Sequence, residues 1–121
     1  MRNKSTHFSP SPTVPYGVLL GQVLKRHREA ARLEQKDLAA RIGLTQPAYS
    51  RLESGQTSMT VTQLRALAKE LGITPASILE ESDGMVRKLV DAGVSVPDQK
   101  KEDNAAAVLV GLGILLALFS K

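Results

Sequence analysis

The sequence has no cysteine and no tryptophan, and only two tyrosines and two phenylalanines. Without cysteine there are no disulfides, no thiolate metal sites and no cysteine nucleophile, which agrees with a reducing cytoplasm. Aromatic residues make up 3% of a chain that is 42% hydrophobic, so the core has to be aliphatic, built from Leu, Val, Ile and Ala. No segment alternates polar and apolar residues for long enough to predict a sheet. The two histidines, His7 and His27, fall in an N-terminal arm and on an outward helical face. No carboxylate pair, phosphate-binding loop or metal-ligand spacing accompanies them. The chain is therefore read as no enzyme, with no cofactor and no metal. The opening residues hold no apolar run of the signal-peptide kind. The basic excess is also small: 16 Lys and Arg against 12 Asp and Glu give a net charge of +4. A balance this mild does not decide the partner; the placement of the charges has to.

What is present is a succession of short helical patterns. Residues 1–16, with Pro10, Pro12 and Pro15 among Ser and Thr, predict a disordered arm whose Arg2 and Lys4 are free to lie along phosphates. Residues 17–82 predict five helices. The first runs from about Val18 to Leu33, with Leu20, Val23, Leu24 and Ala31 inward and Lys25, Arg26, His27 and Glu29 outward. A second opens at Glu34-Gln35-Lys36-Asp37, carries Leu38, Ala39 and Ile42, and stops at Gly43. Thr45 caps a third, which has Pro47 in its first turn, where a missing N–H does no harm. A fourth starts near Thr60 and carries Val61, Leu64, Leu67, Ala68 and Leu71 as far as Gly72. Thr74-Pro75 opens a short fifth with Ile78 and Leu79. Residues 83–104 predict one more short helix, Met85 to Ala92, and a polar linker. Residues 105–121 then switch to AAAVLVGLGILLALF, an apolar helix without a charge. The fold class expected is all-α: a five-helix domain with an additional C-terminal apolar helix.

The most specific stretch is QKDLAARIGLTQPAYSRLESG. Gly43 supplies a tight turn between two short helices, and Ala39 is small where they cross. Ile42, Leu44, Tyr49 and Leu52 bury the interface, which leaves Gln46, Pro47, Ser50, Arg51 and Ser54 outward. With the following GQTSMTVTQLRALAKELGITPASIL, this string resembles the Cro and phage-repressor type, XRE-like, helix-turn-helix family over about Gly21 to Glu81. The resemblance implies double-stranded DNA as the partner and the third helix as the element that enters the major groove. It implies base contacts from Gln46, Pro47, Ser50 and Arg51. A glutamine amide suits adenine, a guanidinium suits guanine, and Pro47 has only a thymine methyl to touch. Phosphate contacts are implied for Gln35, which would also orient Gln46, and are expected from Lys36, Thr45, Ser54, Gln56, Thr57 and Ser58. Arg28 and Glu53 match a family ion pair that ties the first helix to the third, and are read as structural. Glu34 departs from the family, which commonly places Thr, Ser or Asn at that N-cap; the acid suits the helix dipole but lies near the phosphates.

The function expected is a sequence-specific transcriptional regulator, a repressor acting as a homodimer or higher oligomer in the cytoplasm. Alternatives left open are an antitoxin-type partner of a toxin and a membrane-anchored protein-interaction module on the same fold. The apolar helix at 105–121 is read either as an oligomerisation helix or as an anchor to the inner membrane. Fifteen residues reach about 22 Å at ~1.5 Å per residue, short of a ~30 Å hydrocarbon core. Because it is apolar all round, it is expected to be buried on every side.

Overall fold

Local chemistry dictates where each helix starts and stops. The computed structural model describes residues 11–98 and 105–120. Among them are α1 (Tyr16–Ala30), α2 (Gln35–Arg41), α3 (Gln46–Glu53), α4 (Val61–Leu71), α5 (Pro75–Asp91) and α6 (Ala105–Phe119). Thr45, Thr60 and Thr74 each accept a backbone N–H three residues on, so α3, α4 and α5 begin at hydroxyl caps. At α2 the Asp37 carboxylate accepts from the Glu34 N–H, closing the first turn from the other direction. Gly43, at φ 76°, turns the chain from α2 into α3, with the Leu44 N–H donating to the Ala39 carbonyl. The same closure ends α1, but there Arg32 holds the left-handed conformation, at φ 59°. This ends α1 at Ala30, short of the expected Leu33, and leaves Ala31 exposed outside the apolar stripe.

The core is aliphatic, as the shortage of aromatics requires. Leu19, Val23 and Leu24 of α1 pack with Leu38, Tyr49, Leu67, Ile78 and Leu89 from the next four helices. Two glycines let α1 and α3 approach closely. A Cβ on Gly21 would collide with the backbone of Glu53, and one on Gly55 with the backbone of Val18. This close crossing is what brings Arg28 on α1 beneath Glu53 on α3.

Four further expectations change in the part of the chain before α6. Residues 1–10 lie outside the described residues, but residues 13–15 are no loose arm: Thr13, Val14 and Pro15 are buried. Thr13 forms an isolated parallel bridge with Ser95. The Val14 and Tyr16 N–H groups donate to the carbonyls of Ser95 and Pro97. The second change is that α5 is a single 17-residue helix, where two short helices were expected, so the boundary foreseen at 82/83 falls inside it. Ser82 does not break it, because its hydroxyl donates to the Ile78 carbonyl; Gly84 costs only about 1 kcal/mol. Ile78, Ser82, Met85 and Leu89 share one buried face that rewards continuation. Third, Val61 and Leu79, counted among the apolar positions of the fourth and fifth helices, are 73% and 38% exposed. The fourth concerns His27, expected to face outward. It is half-buried, with Nε2 2.7 Å from Glu81 Oε1 on α5.

The apolar helix α6 lies on its own domain with one side covered and the other open. Ala107, Gly111 and Leu115, four residues apart, are buried, while Leu109, Val110 and Leu116 are exposed. Burial on every side is therefore not what the chain achieves by itself. Thr13 N–H donates to the Ala107 carbonyl at 3.1 Å, and a Cβ on Gly111 would meet the Thr13 carbonyl and a Val14 methyl. The Arg26 guanidinium sits 4.1 Å over the Phe119 ring. Among the described residues, no helix is long and apolar enough to cross a membrane.

Candidate nucleic-acid interface

The outward face of the α2–α3 unit rests on a buried polar knot. Glu53 is 4% exposed and Arg28 8%. Arg28 Nε donates to Glu53 Oε2 and the Arg28 terminal nitrogen to Oε1, each at 2.9 Å, a two-pronged fork. The remaining Arg28 terminal nitrogen donates to the Leu33 carbonyl at 2.7 Å. The Tyr49 hydroxyl donates to Glu53 Oε2 at 2.6 Å, and Gln35 Nε2 to Oε1 at 2.9 Å. Each carboxylate oxygen thus accepts two hydrogen bonds, which is what a desolvated charge needs. Burial alone would raise the carboxyl pKa of Glu53. The donors from Arg28, Tyr49 and Gln35 outweigh it and hold the pKa below the ordinary value of 4.5. Burial and the adjacent carboxylate push the Tyr49 hydroxyl far up, so it stays a donor.

Outward from this knot stand the groups read from the sequence as DNA contacts. Gln46, Pro47 and Arg51 are exposed on α3, and Ser50 is half-buried beside them. Gln35 is half-buried, with its Oε1 3.4 Å from Gln46 Nε2, so the two glutamines are adjacent across the turn. Arg28, Glu34, Gln35, Lys36 and Gln46 line one shallow groove. A second groove, between α3 and the start of α4, brings Arg51 together with Thr57 and Ser58. Gln56, Thr57 and Ser58 also line a third, beside the start of α1. The Ser54 hydroxyl donates to the Arg51 carbonyl at 3.3 Å, while that of Thr45 accepts from the Ala48 N–H and keeps its hydrogen for a further partner. Lys36 lies 3.9 Å from Glu34 at the exposed rim, a contact worth little in water. Sequence reasoning missed Tyr49 as a polar partner, having counted it only as core. It also missed Thr60 and Gln63, which share the second groove; their mutual capping across three residues, Thr-x-x-Gln, was the available signal.

Residues 24–78 match the helix-turn-helix family. This segment is a Cro/repressor-like helix-turn-helix domain of the XRE type. Two solved structures of the clp gene regulator ClgR from Corynebacterium glutamicum resemble the chain. One is 25% identical, with a TM-score of 0.54 over 57% of this chain and 90% of that one. The other is 23% identical, with a TM-score of 0.62 over 69% and 86%. None of the curated proteins compared with the chain matches it. The helix-turn-helix domain is thus a DNA-binding fold, and α3 occupies the place of its recognition helix.

Proposed function

We propose that the protein is a sequence-specific transcriptional regulator, a repressor, that places α3 in the major groove of duplex DNA as a homodimer in the cytoplasm. The observation that carries this reading is the row Gln46, Pro47, Ser50 and Arg51 on one face of a helix whose opposite face is locked by Tyr49, Leu52 and Glu53. An amide and a guanidinium on a rigid helix are suited to read base edges. Around them Gln35, Lys36, Gln56, Thr57 and Ser58 supply groups for phosphate oxygens, which fix register and orientation. The resemblance to ClgR, a gene regulator, supports the same role.

One helix reads few base pairs, and two recognition helices about 34 Å apart multiply specificity. The exposed apolar side chains Leu109, Val110 and Leu116 of α6 support self-association, because apolar surface left in water favours burial. Selecting bound sites from randomised duplex DNA with the full chain tests the reading. A pseudo-palindrome with half-sites one helical turn apart is the expected outcome, and recovery of no common sequence contradicts it. Sedimentation of the full chain and of a chain ending at residue 104 tests the second part. The full chain is expected at twice its mass and the shorter one at its own. A full chain that sediments as a monomer contradicts the homodimer.

A further inference from the structure

We infer that the buried Glu53 carboxylate, held by Tyr49, sets which way round the Gln46 amide faces DNA, making Glu53 and Tyr49 positioning residues for base selectivity. The inference rests on the reading of α3 as the DNA-reading helix. It follows from what each group is able to donate. An ionised carboxylate only accepts. The Gln35 amide therefore has to turn its nitrogen to Glu53 Oε1, where it lies at 2.9 Å, and its oxygen away. That oxygen is the group beside Gln46, so Gln46 in turn presents its nitrogen, at 3.4 Å. What Gln46 has left to show outward is one N–H and its carbonyl oxygen. Adenine offers N7, an acceptor, and N6–H, a donor, which match that pair. Guanine offers two acceptors, N7 and O6, and O6 would face the Gln46 carbonyl oxygen. The polarity of a charge buried under α3 is thus passed through two amides to the groove, favouring adenine over guanine.

Tyr49 enters because the carboxylate passes on this polarity only while its own plane is fixed. Arg28 grips both oxygens from one side, and the Tyr49 hydroxyl takes the second lone pair of Oε2 at 2.6 Å. This leaves the second lone pair of Oε1 directed at Gln35. Tyr49 is 1% exposed, so it touches no DNA, and any effect on base choice has to travel through Glu53.

The test compares full-length wild type, Gln46→Ala, Tyr49→Phe and Glu53→Gln on duplexes of the selected operator. At the base pair that Gln46→Ala identifies, adenine is replaced by guanine, and the readout is the ratio of the two affinities. Tyr49→Phe is expected to lower that ratio about fivefold, the worth of one hydrogen bond. Glu53→Gln, whose carboxamide is able to donate to Gln35 and reverse the relay, is expected to lower it about tenfold or more. A merely structural role would lower the melting temperature and both affinities together, leaving the ratio unchanged. Tyr49→Phe removes one oxygen from a ring that keeps its packing, so it decides the matter even where Glu53→Gln does not fold. A ratio within about twofold of wild type in Tyr49→Phe, with Gln46→Ala abolishing the preference, overturns the proposal. If Gln46→Ala itself leaves the preference intact, the reading of α3 falls, and the proposal falls with it.

Discussion

The knot beneath α3 and the seat of α6 hold their parts by opposite means. At the knot, four donors converge on two carboxylate oxygens, and each bond has a direction. At the seat, Ala107, Gly111 and Leu115 rest against residues 13–14 and the body of the domain, with, among the described residues, one backbone hydrogen bond and one ring under a guanidinium. Directional bonds in a desolvated place specify geometry, and their loss leaves charge stranded. Apolar packing on a half-open surface adds stability in proportion to buried area and specifies less. On the proposed reading, in which Gln46 presents its amide at a base edge, α3 needs the first kind of support. A terminal helix that covers the domain's flank is adequately served by the second.

Breaking each region should reveal the difference. Glu53→Ala is the largest expected effect, a loss of about 3–5 kcal/mol because the buried Arg28 charge loses its partner. Thermal unfolding followed by circular dichroism should show it as a drop of roughly 12 °C or more. The double variant with Arg28→Ala should recover part of the loss, and equal melting of Glu53→Ala and wild type would mean the pair contributes nothing. Acid tests the same knot. The folded-state pKa of Glu53 lies below 4.5, so its contribution is present above the unfolded value and is lost as pH falls through the folded one. Wild-type melting temperature should therefore fall with acidification below about 4.5, and Glu53→Gln should lose that part of the slope. An identical acid slope in the variant would contradict the assignment.

At the seat the effects should be smaller and local. Gly111→Ala places a methyl against the Thr13 carbonyl and Val14, a clash of about 1–3 kcal/mol that α6 relieves by lifting. Hydrogen exchange should speed up along α6 while α1–α5 keep their protection; loss of protection in α3 would show that the two regions are coupled. Phe119→Leu should cost least, about 0.5–1 kcal/mol, since it removes only the face beneath a partly exposed Arg26. Unchanged exchange at the end of α6 would mean that the stacked pair holds nothing in place.

The sequence showed most clearly what depends on neighbours along the chain. Helical spacing, Thr45 before Pro47 and the glycine at 43 placed α2, α3 and the turn between them. Two short helices were expected where α5 runs on as one. Only the fold reveals that Ser82 has a carbonyl partner and that its face is buried. Pro12 and Pro15 argue for a loose arm by local propensity. The bridge to Ser95, more than 80 residues away along the chain, overrides them, and no nearby pattern announces it. The outward glutamines were legible as polar positions on a helix. Tyr49 was not legible as a hydrogen-bond donor, because a tyrosine at a core position looks the same whether or not its hydroxyl has a partner. Of the hydroxyls read as phosphate ligands, that of Ser54 donates to the Arg51 carbonyl, a competition that a sequence pattern does not display, whereas that of Thr45 only accepts, from the Ala48 N–H, and keeps its own hydrogen.

The claim on which the rest depends is that Gln46 reads a base, and one measurement addresses it most directly. Wild type and Gln46→Ala are each taken through the same selection from randomised duplex DNA, and their enriched sequences are compared position by position. The account predicts that the variant loses preference at one base pair per half-site, a discrimination of about 1–3 kcal/mol, while its preferences elsewhere persist. Identical sequence preferences for the two proteins would contradict it.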